Sequence, residues 1–247
     1  MTESKPAAIV LDRVSKSFGS RQVLDRVSFS VPRGEALCVL GRSGTGKSVT
    51  LRLMVGLIKP DAGDIFISGV NISRAEGAEL SQIRSKMGFL FQSAALFDSY
   101  TLHDNLALPL RRLTRKANAE IEEIVDQALG QVGLAGDKLK LPGALSGGMR
   151  KRAGLARAMV LEPEVLLVDE PSSGLDRITA TEIDDLLLAQ KALHQTTMVI
   201  VTHDVHGARR VADRFAVLDE GQLIALGTPQ QLEDHESETV RKLVAEK

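Results

Sequence analysis

Three short strings in the chain carry residue types that could together bind a nucleoside triphosphate and split it. The first, GRSGTGKS at residues 41–48, fits the phosphate-cradling pattern G-x-x-x-x-G-K-[ST]. The second, LSGGM at 145–149, is a glycine-rich loop, and the third, VLLVDE at 165–170, ends in two carboxylates. In this order the residues suit phosphoryl transfer to water with the help of a magnesium ion.

The first string lies between a predicted strand and a predicted helix, as its pattern requires. Residues 36–40 are apolar and indicate a buried strand, and apolar residues recur at helical spacing over 48–58. Glycines let backbone N–H groups approach phosphate oxygens, and the helix N-terminus adds positive charge. We predict that Lys47 reaches the β- and γ-phosphates and that Ser48 ligates Mg²⁺. The predicted ATP-binding residues of this loop are Gly41, Arg42, Ser43, Gly44, Thr45, Gly46, Lys47, Ser48 and Val49. A glycine-rich turn without a ligand is the alternative.

The third string places two acids at the end of a predicted central strand. Residues 165–168 are uniformly apolar, which is typical of a parallel strand buried on both faces, and Pro171 stops it. Ligands bind at the carboxyl ends of strands in open α/β sheets. We predict Asp169 as a direct or indirect partner of Mg²⁺ and Glu170 as the base that polarises the attacking water. Two solvated acids would look the same in isolation, but the phosphate loop favours the functional interpretation.

Composition excludes several classes of function. The 247 residues are 43% hydrophobic and 26% charged with a net charge of −1, so no global field favours nucleic acid. With no Trp and one Tyr, few side chains can stack on single strands. Basic clusters at 111–116 and 150–152 are expected on solvated helix faces. The lone Cys38, the lack of a membrane-length apolar run and the lack of an apolar leader predict a cytosolic protein that reaches a membrane through a partner.

The pattern along the chain predicts the α/β fold class. Residues 8–35 and 61–69 alternate like an antiparallel, half-exposed sheet, and the pattern from about 93 to 160 is helical with an apolar face over 121–132. Strands and helices then alternate to residue 215, as in a parallel sheet. A hairpin turning at 219–222 and a helix opened by Thr228 are predicted to follow.

With both sites placed, nearly the whole chain resembles an ATP-binding cassette (ABC) transporter ATPase. The string 145–148 resembles the signature loop of that family, and it opens a predicted helix over 149–160. The resemblance implies that this loop acts on ATP bound by a partner subunit, so that a homodimer holds two composite ATP sites. The signature residues are Leu145, Ser146, Gly147, Gly148 and Met149. Met149 replaces the usual Gln, so contacts of that side chain are not carried over.

Further motifs take roles from the same resemblance. Gln92 resembles the glutamine that ligates Mg²⁺ and senses the γ-phosphate, and His203 resembles the switch histidine, although a structural histidine is the alternative. Phe18 lies where the family has an aromatic ring, more often Tyr, that stacks on adenine; core packing is the alternative. The residues that resemble the D-loop, which crosses the dimer interface, are Ser173, Gly174, Leu175 and Asp176. Asp176 is also a predicted helix N-cap. The predicted catalytic set is Glu170, His203 and Lys47, and the metal set is Ser48, Gln92 and Asp169.

The resemblance implies a P-loop NTPase core with an antiparallel β subdomain and an inserted helical subdomain. Residues 1–247 would form a single ABC ATP-binding domain with the helical subdomain at 93–160, and no regulatory C-terminal domain is expected. Residues 93–110 fall where the family docks the coupling helix of its membrane permease. Ordinary packing of the subdomain is the alternative for their apolar side chains.

The residues after the signature glycines indicate a branch of the family. Met149 followed by RKRAGLARA at 150–158 resembles the ATPases of Mla-type systems, which partner MCE-domain proteins and move lipids. The branch implies phospholipid transport that maintains outer-membrane lipid asymmetry, by a protein peripheral on the inner face of the cell inner membrane. The alternatives are an importer of amino acids, metals or peptides and a non-transport ABC ATPase. The last class carries two cassettes or a coiled-coil insertion, and this sequence shows neither.

Overall fold

Two β-sheets and the helices that flank them form residues 6–245, which are the residues that the computed structural model describes. The strands are β1 (Ala7–Phe18), β2 (Arg21–Pro32), β3 (Ala36–Leu40), β4 (Ala62–Ile67), β5 (Val70–Asn71), β6 (Met87–Leu90), β7 (Val165–Asp169), β8 (Thr197–Val201), β9 (Arg214–Asp219) and β10 (Gln222–Gly227). The helices are α1 (Lys47–Met54), α2 (Gly77–Arg84), α3 (Leu102–Leu113), α4 (Asn118–Gln131), α5 (Gly147–Met159), α6 (Arg177–His194), α7 (Val205–Val211), α8 (Pro229–Glu233) and α9 (Glu238–Val244). The predicted α/β class is confirmed.

The larger sheet brings the chemical residues together. Its strand order is β10-β9-β3-β8-β7-β6, and all neighbours are parallel except β10, which pairs antiparallel with β9. Every residue of β3, β7 and β8 is buried, which explains their apolar runs. Because parallel strands end at one edge of the sheet, the segments that follow β3, β6, β7 and β8 meet there.

The smaller sheet is antiparallel, as predicted, with strand order β2-β1-β4-β5. Val27, Phe29 and Val31 of β2 are buried, while the residues between them are exposed. Leu11 of β1 lies opposite Phe29 on one side and Ile65 of β4 on the other. The register shifts several times along β1, and its pairing with β2 and β4 continues past these irregular positions.

Helices α3, α4 and α5 pack around a core of their own, and the predicted apolar face of α4 is buried in it. The first of these helices begins at Leu102, later than the helical pattern predicts. The reason is local, because Ala94 and Ala95 have φ values of 63° and 48°, and a left-handed backbone cannot continue a right-handed helix. Thr101 then caps α3 by accepting a hydrogen bond from the Asp104 N–H.

Helix α1 is shorter than predicted and ends at Met54 rather than at Ile58. Gly56 has a φ of 69°, and the Leu57 N–H donates to the Arg52 carbonyl at 2.9 Å. A left-handed glycine with such a bond is a common helix end. Apolar spacing continued past this glycine, so the sequence pattern alone placed the helix end too late.

The predicted turns near the end of the chain are confirmed. Glu220 and Gly221 join β9 to β10 with φ values of 45° and 79°, as in a type I′ hairpin turn. Thr228 opens α8 through a capping box with Gln231. Between residues 6 and 245, no helix combines the length and the apolar character that crossing a membrane requires.

Gly88 in β6 controls how closely α5 approaches the larger sheet. A Cβ atom on Gly88 would lie 2.2 Å from the Ala158 carbonyl oxygen of α5. We predict that Gly88→Ala lowers the free energy of unfolding by about 1–3 kcal/mol, since backbone must move to admit the methyl group. Urea denaturation of both proteins measures the difference.

Gly130 of α4 supplies the control for that substitution. A Cβ atom there would contact nothing within 4 Å, so Gly130→Ala should raise the free energy of unfolding by about 0.5–1 kcal/mol. Equal stability changes in the two variants would contradict the account of Gly88.

Candidate functional site

The phosphate loop folds tightly between β3 and α1. A Cβ atom on Gly41 would lie 2.4 Å from the Leu218 carbonyl oxygen. One on Gly46, whose φ is 99°, would lie 2.6 Å from a methyl group of Leu24. The loop backbone can therefore follow this path only if positions 41 and 46 have no side chain. The glycines that the motif requires have a steric reason in the fold as well as a role toward phosphate.

Lys47 lies inside the loop that it would serve. Its Nζ donates to the carbonyl oxygens of Gly41 and Arg42, at 2.8 and 2.9 Å. Burial lowers the pKa of Lys47, and the charges of Glu170 and Asp169 oppose that change. The ammonium group is thus held among loop backbone atoms, with carboxylates nearby to favour its charged form.

The start of α1 fits an anion. Its N-cap, Gly46, has no side-chain capping bond, and its first turn holds no acidic residue. Helices α3 and α6, in contrast, are capped by the side chains of Thr101 and Asp176. The backbone donors and positive dipole end of α1 therefore remain for a ligand such as the phosphates of ATP.

Two oxygen ligands face each other where α1 meets β7. The Ser48 hydroxyl donates to the Asp169 carboxylate at 2.9 Å. Burial raises the pKa of Asp169, and the hydrogen bond from Ser48 works against that change. A hydroxyl and a carboxylate suit Mg²⁺, which prefers oxygen ligands. Ser48 and Asp169 would hold this ion, which when bound would neutralise phosphate charge.

Glu170 leaves β7 with a left-handed backbone and a carboxylate held by β8 and the residues after it. Its φ is 49°, which costs about 1–2 kcal/mol for a residue with a Cβ. Its N–H donates to the Val201 carbonyl at 2.8 Å, and its Oε2 accepts from the Thr202 hydroxyl at 3.2 Å. The Nδ1 of His203 lies 2.8 Å from the same Oε2. The predicted base and the predicted switch histidine are therefore in direct contact.

An open cavity of about 800 Å³ joins several of the predicted site residues. Its walls include residues 41–43 of the phosphate loop, 173–175 of the D-loop string, and His203. The signature string 145–149, which the structure describes in full, does not line this cavity. The structure thus groups the phosphate loop with the D-loop string and His203, and leaves the signature string elsewhere.

Gln92 and Phe18 are both accessible. Gln92 is exposed and follows β6, whose Leu90 is in register with Val168, so it lies at the same sheet edge as Glu170. Its role as a metal ligand remains a prediction. Phe18 ends β1 with half of its surface exposed, and the Lys16 ammonium lies 5.5 Å from its ring. Core packing therefore does not explain Phe18.

The signature string forms the start of α5. The Ser146 hydroxyl oxygen accepts a hydrogen bond from the Met149 N–H at 3.2 Å. A Cβ atom on Gly148 would lie 2.6 Å from the methyl group of Thr179, which belongs to the first turn of α6. Asp176 caps that helix, as predicted. The signature string and the helix that follows the D-loop string are therefore packed together.

Two basic residues of α5 make long-range contacts that the sequence does not predict. Lys151 is buried, and its Nζ donates to the Glu170 carbonyl oxygen at 2.8 Å. Arg157 donates to the carbonyl oxygens of Ala94 and Ala95, at 3.1 and 2.8 Å. The sequence predicts the basic cluster at 150–152 on a solvated helix face, and for Lys151 this prediction is wrong. Helical spacing could have indicated this burial, because Lys151 lies on the same face of α5 as the buried residues 154, 155 and 158.

Comparison with known proteins gives consistent matches. The ABC transporter family model matches residues 24–173, more than half of the chain. The probable ribonucleotide transport ATP-binding protein mkl of Mycobacterium tuberculosis is 43% identical over 245 residues, 98% of this chain and 68% of mkl. The intermembrane phospholipid transport system ATP-binding protein MlaF of Escherichia coli is 37% identical over 244 residues, 99% of this chain and 91% of MlaF. The glycine betaine/proline betaine transport system ATP-binding protein ProV of E. coli is 38% identical over 224 residues, 90% of this chain and 55% of ProV.

A solved structure has the same fold. It is the dimeric post-hydrolysis state of the ATP-binding cassette MJ0796 bound to ADP and Pi. The TM-score is 0.84 at 31% identity, with 89% of this chain and 98% of that chain covered. The predicted combination of a nucleotide-binding core with an antiparallel sheet and inserted helices is thereby confirmed as a fold.

Burial raises the pKa of Asp169, so the charged carboxylate that would bind metal also lowers the stability of the metal-free protein. A carboxyl whose pKa is raised by folding loses stabilising free energy as the pH rises through that pKa. Asp169→Asn should therefore raise the free energy of unfolding of the metal-free, nucleotide-free protein at about pH 7.5, and the gain should disappear toward about pH 4. Denaturant titrations at a series of pH values measure it.

Asp61 provides a control of opposite sign. The hydrogen bonds from Lys16 and from the Ser17 N–H lower the pKa of Asp61, so Asp61→Asn should lower stability at neutral pH instead. A stability change for Asp169→Asn that does not vary with pH would contradict the assignment of burial as the cause.

Proposed function

The chain belongs to the ABC transporter family and is an ATPase of that family, and we propose that two copies of it drive a membrane transporter for phospholipids. The observation that carries the hydrolytic part is the buried Glu170 carboxylate, held 2.8 Å from His203 Nδ1 at the end of β7. The observation that favours phospholipid is the string from Met149 to Ala158, together with the similarity to MlaF over nearly both chains.

Each residue of the site has a step in this proposal. Lys47 and the N–H groups at the start of α1 bind the β- and γ-phosphates, and Ser48 with Asp169 hold magnesium. Glu170 orients a water molecule for attack on the γ-phosphate and accepts its proton. The Thr202 hydroxyl and His203 fix one oxygen of that carboxylate, which leaves the other free for the water. His203 also faces the open cavity, from which it can contact the γ-phosphate.

A second copy of the chain completes each ATP site in this proposal. The cavity beside the phosphate loop holds the D-loop string but not the signature string of the same chain. The start of α5 offers an exposed Ser146 and two glycines to a ligand outside its own subunit. The solved cassette of the same fold is a dimer. These points support a homodimer in which the signature loop of one subunit contacts ATP bound by the other.

The segment after Gln92 is the proposed contact with the permease. Phe97 and Tyr100 are exposed large side chains whose ring centroids lie 5.6 Å apart. Arg157 holds the backbone of this segment from α5 and lies 6.0 Å from the Phe97 ring. Buried Leu102 and Leu106 of the following helix anchor the patch, so part of the apolar sequence there is ordinary packing. A membrane subunit would cover the exposed part.

The cargo separates this proposal from its alternative. Two relatives of similar identity have names that give other cargoes: mkl is named a probable ribonucleotide transport protein, and ProV belongs to a glycine betaine/proline betaine transport system. An importer of another small solute would use the same hydrolytic residues and a different permease. The phospholipid proposal adds an MCE-domain protein as partner and the inner face of the cell inner membrane as location.

The base assignment predicts a separation of ATP binding from hydrolysis. We expect Glu170→Gln to bind ATP with unchanged affinity and to lose more than about 100-fold in kcat, since an amide cannot accept the proton. Lys47→Ala should instead lose ATP affinity. Nucleotide titration and steady-state phosphate release measure the two quantities.

Glu164 is the matched control for the first substitution. It lies at the opposite, amino end of β7 and pairs with Lys86, so Glu164→Gln should keep normal turnover. Normal turnover in Glu170→Gln would contradict the base assignment, and unchanged ATP affinity in Lys47→Ala would contradict the phosphate-loop assignment.

The proposed phospholipid cargo predicts which proteins bind this chain in its native membrane. Purification in mild detergent should recover a multi-span permease together with an MCE-domain protein and bound phospholipid. A permease with a soluble solute-binding protein would contradict the lipid assignment and keep the ATPase. Recovery with ribosomes or DNA and without a permease would contradict transport altogether.

A further inference from the structure

Lys151 is a buried cation in the middle of α5, the helix that the signature string opens. Only 6% of the surface of Lys151 is exposed, and its Nζ donates to the carbonyl oxygen of Glu170 at 2.8 Å. It forms no ion pair within residues 6–245. A buried amine that bonds a neutral carbonyl is unfavourable in an ordinary core, where apolar residues would fill the space. Because Lys151 bonds the residue that follows β7, we expect the role of its buried amine to involve that residue.

The carbonyl that Lys151 holds belongs to the strained residue of the site. Glu170 has a left-handed φ of 49°, a conformation that residues with a Cβ avoid. Its N–H is fixed by the Val201 carbonyl, and its own carbonyl accepts from Lys151 and, at 3.3 Å, from the Ser173 N–H. The backbone on both sides of the Glu170 Cα is thus fixed. Fixed backbone on both sides sets the direction of the Cα–Cβ bond, and the contacts with Thr202 and His203 then hold the carboxylate at its end.

The charge of Lys151 also suits this place. Burial lowers the pKa of Lys151, and the carboxylates of Glu170 and Asp169 oppose that change. An ammonium group near two acids reduces the repulsion between them.

We propose that Lys151 is a positioning residue for Glu170, which aims the carboxylate at the attacking water by holding the left-handed backbone of that residue. The inference rests on the proposed role of Glu170 as base and adds a physical link. Ser146, at the start of the same helix, is proposed to contact ATP in the partner subunit. Lys151 therefore connects the loop that serves the ATP of one subunit to the base that serves the ATP of the other.

The test compares Lys151→Met with Lys151→Gln. Methionine fills the space of the stem and removes the donor, so kcat should fall about 10- to 100-fold, as expected when a catalytic group is aimed wrongly. The KM for ATP should change less than about threefold, because no phosphate ligand is lost. Glutamine keeps an N–H donor for the same carbonyl and should recover most of the turnover.

The matched control is Lys191→Met. Lys191 is a partly buried lysine of α6 that pairs with Asp213, away from the site, and its loss should leave kcat unchanged. Turnover is measured in the transporter complex, and the melting temperature and ATP affinity of each variant are measured beside it. Where Lys151→Met does not fold, Lys151→Leu takes its place as the variant without a donor. Loss of turnover in Lys151→Leu, with turnover retained in Lys151→Gln and Lys151→Arg, supports the positioning role, and equal turnover in all three overturns it.

The outcomes separate this inference from the function on which it rests. Normal kcat in Lys151→Met, or equal losses in Lys151→Met and Lys151→Gln, would overturn the positioning role and leave the base assignment intact. A loss of ATP affinity in Lys151→Met that accounts for the loss of turnover would also overturn it. Full turnover in Glu170→Gln would overturn the base assignment and the inference together.

Discussion

The point where β7 ends is the constraint on which the site depends. A parallel strand buried on both faces delivers Asp169 into the interior and must then turn sharply, and the turn is made by Glu170 in a left-handed conformation. The strain is sustained because Val201, Lys151 and the turn to Ser173 fix that backbone from three sides. Such strain at functional positions persists only where surrounding structure determines it.

Several ionisable side chains are buried around the end of β7, and burying a charged group costs free energy. Lys47, Asp169, Glu170 and Lys151 are all less than a tenth exposed. Opposite charges sit close enough to moderate each burial: the two carboxylates favour charged Lys47 and Lys151. A site of this kind is less stable than an apolar core of the same volume would be. It is prepared for phosphates and a metal before either arrives, which is what lowers a barrier to phosphoryl transfer.

Some of this arrangement could be predicted from the sequence, and some could not. The phosphate loop, the two acids at the end of β7 and the caps at Ser146 and Asp176 depend on residues close together in the sequence, so the sequence could predict them. The contact of His203 with Glu170 depends on β7 and β8 being neighbours, with Asp169 in register with Val201. Sequence spacing carries no record of such a pairing.

Basic residues show the same limit. Lys151 stands in a run of cations that is typical of a solvated face, and only its helical spacing with buried neighbours distinguishes it. Arg157 is bonded to two alanines more than sixty positions earlier in the chain, whose left-handed backbone no residue type announces. Long-range backbone acceptors are not visible in a sequence, so both residues needed the fold.

The composite site is the central claim, and mixing two inactive variants tests it most directly. A subunit with Glu170→Gln has lost its own base but keeps its signature loop, and a subunit with Ser146→Arg has lost its signature loop but keeps its base. If each ATP is served by the base of one subunit and the signature loop of the other, a mixed dimer holds one complete site. Turnover that neither variant has alone should then appear on mixing. Absence of turnover at every mixing ratio, with mixed dimers shown to form, would contradict the account.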